Sequence, residues 1–205
     1  TYTYFYLEHD LGYTLYWDSI KVYYNDNGSS TPVVPDQPQP EEPDPETPSG
    51  VSIANGEYVI VCPAFDKALS SDKALNQDGT PGFYNAGVDV TVSGNTVSGR
   101  GDAEKWTVTN NADGSITISQ NGKNLALADS FSSMNLGEVN DKWVLEDAGN
   151  GLYYVKNVVR GNYIEWYDSK DNWSSYGKIN DGAENLFALQ FIALSVQDPG
   201  NTPNE

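Results

Sequence analysis

Five aromatic rings crowd one short stretch of this chain: Tyr163, Trp166, Tyr167, Trp173 and Tyr176. Asp168, Asp171 and Asn172 lie among them. Flat rings accept the C–H face of a sugar, and amides and carboxylates take its hydroxyls. Alternation along a strand puts Ile164 and Trp166 on the core side and leaves Tyr163, Glu165 and Tyr167 outside. Trp173 and Tyr176 follow in a polar segment, so they are expected as ligand contacts, Trp173 foremost, with Asp171, Asn172, Tyr167 and Asp168 in support. The opposing reading is that these rings fill a core. A second candidate cluster is Phe83, Tyr84, Asn85 and Asp89, which either binds ligand or clamps its loop onto the fold. Between these two clusters, the segment Asp129-Ser-Phe-Ser-Ser-Met134 offers Phe131 as a single platform.

Other chemistries find little support. The single histidine, His9, lies far from these clusters, so Ser-His-Asp and Cys-His arrangements within 51–196 are excluded. No zinc-ligand spacing occurs, and Asn25-Asp-Asn-Gly28 and Asp168 with Asp171 are only fragments of calcium loops. No metal, cofactor or catalytic residue is expected, and the acidic side chains are read as solvated surface. Cys62, the only cysteine, sits in an apolar strand and is expected to be buried and inert. A net charge of −18 argues against nucleic acid, whose recognition needs a basic patch. No apolar run is long enough to cross a bilayer, so no membrane insertion is expected.

The elements that position these clusters show a threefold pattern. Gly56-Glu-Tyr-Val-Ile-Val, Gly114-Ser-Ile-Thr-Ile-Ser and Gly151-Leu-Tyr-Tyr-Val-Lys each open a strand. Leu69, Leu125 and Ile164 each follow a turn residue by three places. Trp106, Trp143 and Phe187 each begin a closing alternating segment. Repetition at roughly 40 residues means one supersecondary unit used three times around a shared core. The prediction is an all-β chain, a closed β-trefoil of roughly twelve short strands over residues 51–196. Leu69, Leu125, Ile164, Trp106, Trp143 and Phe187 should meet in one core. Gly56 to Gly114 is a wider spacing than Gly114 to Gly151, which predicts an inserted loop within Asp72–Arg100.

Glu104-Lys-Trp106 and Asp141-Lys-Trp143 resemble the Q-x-W signature of ricin-type β-trefoil lectins, with an acidic residue in place of Gln. Asn185-Leu-Phe187 departs further. The stretch from Gly56 to Trp166 also resembles modules appended to secreted bacterial hydrolases, nucleotidases and nucleases among them. The resemblance implies that Trp106, Trp143 and Phe187 are structural and that sugar contacts lie in the turn after each unit's second strand.

Around this domain, residues 1–27 read as the closing hairpin of a preceding β domain. The segment Trp17-Asp-Ser-Ile-Lys-Val-Tyr resembles the last strand of jelly-roll carbohydrate modules. Residues 28–50 hold seven prolines and five acidic residues and read as an extended linker. Residues 197–205 read as the start of another. The expectation is a carbohydrate-binding module of a secreted or surface-attached multidomain protein, with an oligosaccharide or polysaccharide and neighbouring domains as partners. The alternative is a structural or protein-interaction spacer that presents neighbouring catalytic domains.

Overall fold

A computed structural model describes residues 51–196. The expected hairpin at 1–27, linker at 28–50 and segment at 197–205 lie outside the described residues. Within 51–196 the chain is all-β, with three single 3-10 turns and no α-helix.

Six strands form a ring: β1 (Gly56–Cys62), β6 (Trp106–Asn110), β7 (Ile116–Gln120), β10 (Lys142–Gly149), β11 (Leu152–Asn157) and β14 (Gln190–Val196). Strand β1 pairs with both β14 and β6, and the ladder continues through β7 and β10 to β11. The ring closes just ahead of β14. There Tyr153 N–H donates to Leu189 O at 2.8 Å and Leu189 N–H donates to Tyr153 O at 2.9 Å.

Three hairpins complete the twelve-stranded sheet: β2 (Lys67–Leu75) with β3 (Pro81–Asp89), β8 (Lys123–Leu127) with β9 (Met134–Gly137), and β12 (Tyr163–Tyr167) with β13 (Asn172–Tyr176). Strand β13 also pairs with β3, Asn172 opposite Ala86 and Trp173 opposite Asn85. Four strands per repeat, two in the ring and two in a hairpin, make a β-trefoil-like arrangement. Local chemistry sets several of its corners. Asn121-Gly122 and Asn150-Gly151 join strands through two residues with positive φ, the twist-matched hairpin turn that this pair of residue types favours.

The extra length in the first repeat is not a loop. It lengthens the β2–β3 hairpin and adds a ribbon of β4 (Thr91–Ser93) and β5 (Thr96–Ser98). Val92 and Val97 of that ribbon pack on Val59, Val61, Ala68, Val90 and Ile192. Strand β1 is thereby covered on both faces, which accounts for its unbroken apolar run Tyr58–Cys62.

Leu69, Leu125, Ile164, Trp106 and Trp143 share one core cluster, as the repeat pattern predicts. Trp106 Nε1 donates to Leu69 O at 2.8 Å, and Trp143 Nε1 donates to Leu125 O at 2.9 Å. In the first two repeats the closing indole thus ties down the same repeat's second strand. Phe187 is the exception. It is buried but packs outside that cluster, and Leu189 supplies the core residue instead. A phenyl ring has no N–H to offer a strand carbonyl, and the chain here forms a 3-10 turn, Glu184–Leu186, before β14 begins. Cys62 is fully buried, and burial pushes its thiol up to about 12.

Candidate ligand-binding cleft

The β12–β13 hairpin builds the site because its two strands sort the expected cluster onto different faces. Trp173 is the main correction. The polar run before it forms a 3-10 turn, Asp168–Lys170, and Asp171 then takes a left-handed conformation (φ 49°) that starts β13. Trp173 therefore lies on a strand and turns inward. It is fully buried, donates its Nε1–H to Ala68 O at 3.1 Å and meets Trp166 edge-to-face at 5.6 Å. It cannot touch a ligand.

The other expected residues divide between two neighbouring clefts. Tyr167 and Tyr176 rim a cleft of about 620 Å³ together with Tyr84 and Phe131. Asp171 and Asn172 instead line a smaller one of about 430 Å³, against Phe83 and Tyr84. Asp171 is engaged by Lys67 at 3.1 Å, and the same ammonium holds Asp89 at 2.8 Å. Asp89 is thus part of a clasp between the first and third repeats. Asn172 is half-buried; its Nδ2 donates to Lys170 O, and its Oδ1 is buried with no partner among the described residues. Asp168 is exposed on the 3-10 turn, outside both clefts.

Asn85 is a second correction. It is buried, its Nδ2 donates to Ser70 O at 2.8 Å, and its Oδ1 accepts from Lys73 Nζ at 3.0 Å. Both ends of the amide are engaged inside the fold, so none is left for a ligand. Lys73 in turn reaches Phe83 O at 3.1 Å and Met134 O. Burial lowers its ammonium to about 8. These bonds fasten the long β2–β3 hairpin to β9 and hold Phe83, 80% exposed, at the surface.

The larger cleft lies where all three repeats meet. The 128–133 segment between β8 and β9 lies beside the β12–β13 hairpin and shares this cleft with it. Arg160 pins it, with Nη1 donating to Ala128 O and to Phe131 O at 2.8 Å. Ser175 Oγ donates to Ser132 O at 3.1 Å, and Tyr84 OH lies 3.0 Å from Ser132 Oγ. Phe131 is left 73% exposed, with Tyr176 at 47% and Tyr167 at 41%.

Polar side chains line this cleft below the rings, Asn162, Glu165 and Ser174 among them. Glu165 faces Ser174 across the hairpin and is only 8% exposed. Burial pushes its carboxyl up to about 7. Sequence reasoning put Glu165 on the outward face but did not single it out. Alternation carried that much. What it does not carry is that Ser130, Phe131, Ser132 and Phe187 line the same cleft.

Among the described residues, no group of three His, Cys, Asp or Glu is placed to hold a metal ion.

No family model and no curated protein matches the sequence. Solved structures do match in fold. The chain is similar to SeviL, in a structure bound to asialo-GM1 saccharide, with 14% identity over 69% of this chain and 99% of that one and a TM-score of 0.50. It is similar to a GlcNAcα1-4Gal-releasing endo-β-galactosidase from Clostridium perfringens, with 15% identity, 69% of this chain, 33% of that one and a TM-score of 0.51. A salivary protein from Culex quiquefasciatus, of the cysteine and tryptophan-rich family, matches with 14% identity, 69% and 96% coverage and a TM-score of 0.50. At these identities the likeness is one of fold, and residues 51–196 share a β-trefoil-like architecture with these proteins.

Proposed function

We propose that residues 51–196 are a non-catalytic carbohydrate-binding module whose ligand lies in the larger cleft. One observation carries this reading. Phe131, Tyr167 and Tyr176 stand exposed around a recess lined below them by Asn162, Glu165 and Ser174. The rings accept a sugar's C–H face, and the polar groups below reach its hydroxyls. SeviL, similar in fold, has been seen with a saccharide bound, which supports the reading by analogy only. The acidic, proline-rich composition of residues 28–50 supports a place in a secreted or surface-attached multidomain protein.

The cleft is open, so the expected affinity is on the order of micromolar to millimolar, because few contacts outlast the ordering costs of binding. Several copies on one surface would raise it by avidity. The test is a glycan array probed with the full chain, followed by Phe131→Ala and Tyr176→Ala. Each variant should lose at least about tenfold in affinity while melting within a few degrees of the wild type, since neither ring is in the core. Wild-type protein that binds no glycan at all would overturn the proposal in favour of a spacer role.

A further inference from the structure

Among the described residues, Glu165 has no counterion. Five other acidic side chains of the domain each have an ammonium beside them: Asp89 and Asp171 share Lys67, Asp113 has Lys142, Glu146 has Lys156 and Glu57 has Lys105. The other buried carboxylate, Glu104, accepts Gly101 N–H at 2.6 Å. Glu165 is more than nine-tenths buried, lines the cleft, and makes no hydrogen bond or ion pair among the described residues. Arg160 lines the same cleft, but its guanidinium is held by the carbonyls of Ala128 and Phe131. Desolvation is the sole cause of the shift in Glu165, with no contribution from a neighbouring charge.

A buried carboxylate without a partner is costly, and a charged donor offsets that cost where a neutral hydroxyl does so only in part. The rings around it point the same way. The faces of Phe131, Tyr167 and Tyr176 are electron-rich and attract cations. The chain's net charge of −18 raises the local concentration of cationic ligands.

We infer that the cleft is built for an amino sugar, a saccharide whose free ammonium sits on the Glu165 carboxylate while its ring stacks on the surrounding aromatics. This rests on the carbohydrate-binding reading and names the class of ligand. The ion pair needs no outside reagent. If the carboxyl enters protonated and the amine neutral, one proton passes from the carboxyl oxygen to the nitrogen and the same pair results.

The experiment uses the full chain at near-neutral pH and low salt. Titration calorimetry compares an oligomer of β-1,4-linked glucosamine with its fully N-acetylated counterpart, whose amides carry no charge. The glucosamine oligomer should bind more tightly by on the order of tenfold or more, as expected for a partly buried charge pair. Glu165→Gln should abolish that difference without lowering the melting temperature. Should this variant fail to fold, the comparison on wild-type protein decides by itself. Equal or tighter binding of the acetylated oligomer overturns the inference and leaves the carbohydrate reading standing. So does a lysine-rich peptide that binds as tightly as the oligomer, because charge alone would then explain the binding. If neither oligomer nor any other glycan binds, both fall.

Discussion

At Glu165 the proposed ligand and the stability of the fold make opposing demands. Its carboxyl is raised by burial from its ordinary 4.5 to about 7 in the folded protein. The fold therefore favours the protonated form. The stability this contributes is fully present below the ordinary value and is lost as pH rises through about 7. Glu165→Gln keeps the shape and cannot ionise. The variant and the wild type should melt together at about pH 4 and diverge as pH rises, with the variant ahead by on the order of 1–2 kcal/mol at about pH 8, because solvent in the open cleft screens part of the charge. Thermal melts of both proteins across that range check this, and curves that stay parallel would show that the carboxylate is well solvated or paired. A stability gain at the same position where ligand affinity falls is the usual mark of a residue kept for function.

Among the elements, the junction of the first and third repeats leaves no spare room at Gly87. Strand β3 pairs with β13, and Gly87 of β3 lies against the indole of Trp166 on β12. A Cβ at Gly87 would stand 2.2 Å from Trp166 Cζ3 and 2.5 Å from Cη2, far inside contact distance. Trp166 cannot retreat, because Trp173 packs on it and both are buried. Gly87→Ala should therefore cost about 1–3 kcal/mol, as overpacking of a filled core does. Chemical denaturation measures it, and an unchanged midpoint would mean that the hairpin slides freely. The same junction shows what the sequence carried and what it did not. Leu69 and Leu125 were legible because each follows a turn residue by three places, and Trp106 and Trp143 because each opens a closing alternating segment. Ile164 and Trp166 were legible by alternation. Trp173 was not, because Asp168-Ser-Lys-Asp-Asn reads as loop and the strand that follows is fixed by pairing with β3, a contact 86 residues distant in sequence at Asn172 with Ala86. Tyr167 was read as outward and is exposed, whereas Tyr176 was read as loop and instead ends β13, exposed all the same. Their gathering with Phe131 depends on Arg160 and Ser175 holding the 128–133 segment, a long-range set of bonds with no local signature.

For the molecule as a whole, the ring of strands closes within residues 51–196. Each of its six strands has two ring neighbours, and the last seam is made by Tyr153 and Leu189. Tyr153 and Tyr58 brace that seam by edge-to-face contact with Phe191, at 5.9 and 6.1 Å. The main core cluster draws residues from all three repeats, so no repeat completes its burial alone. Residues 28–50 offer almost no apolar side chains to add to it, and ordering such a segment costs entropy that burial does not offset. A fragment of residues 51–196 should then unfold in one cooperative transition, at a melting temperature within a few degrees of the full chain. It should also keep any glycan affinity, since every residue of the larger cleft falls inside it. Calorimetry on the two proteins decides the point. A drop of ten degrees or so, roughly 2–5 kcal/mol for a domain of this size, would mean that the preceding residues dock on the barrel and that the cleft is regulated by what lies before it.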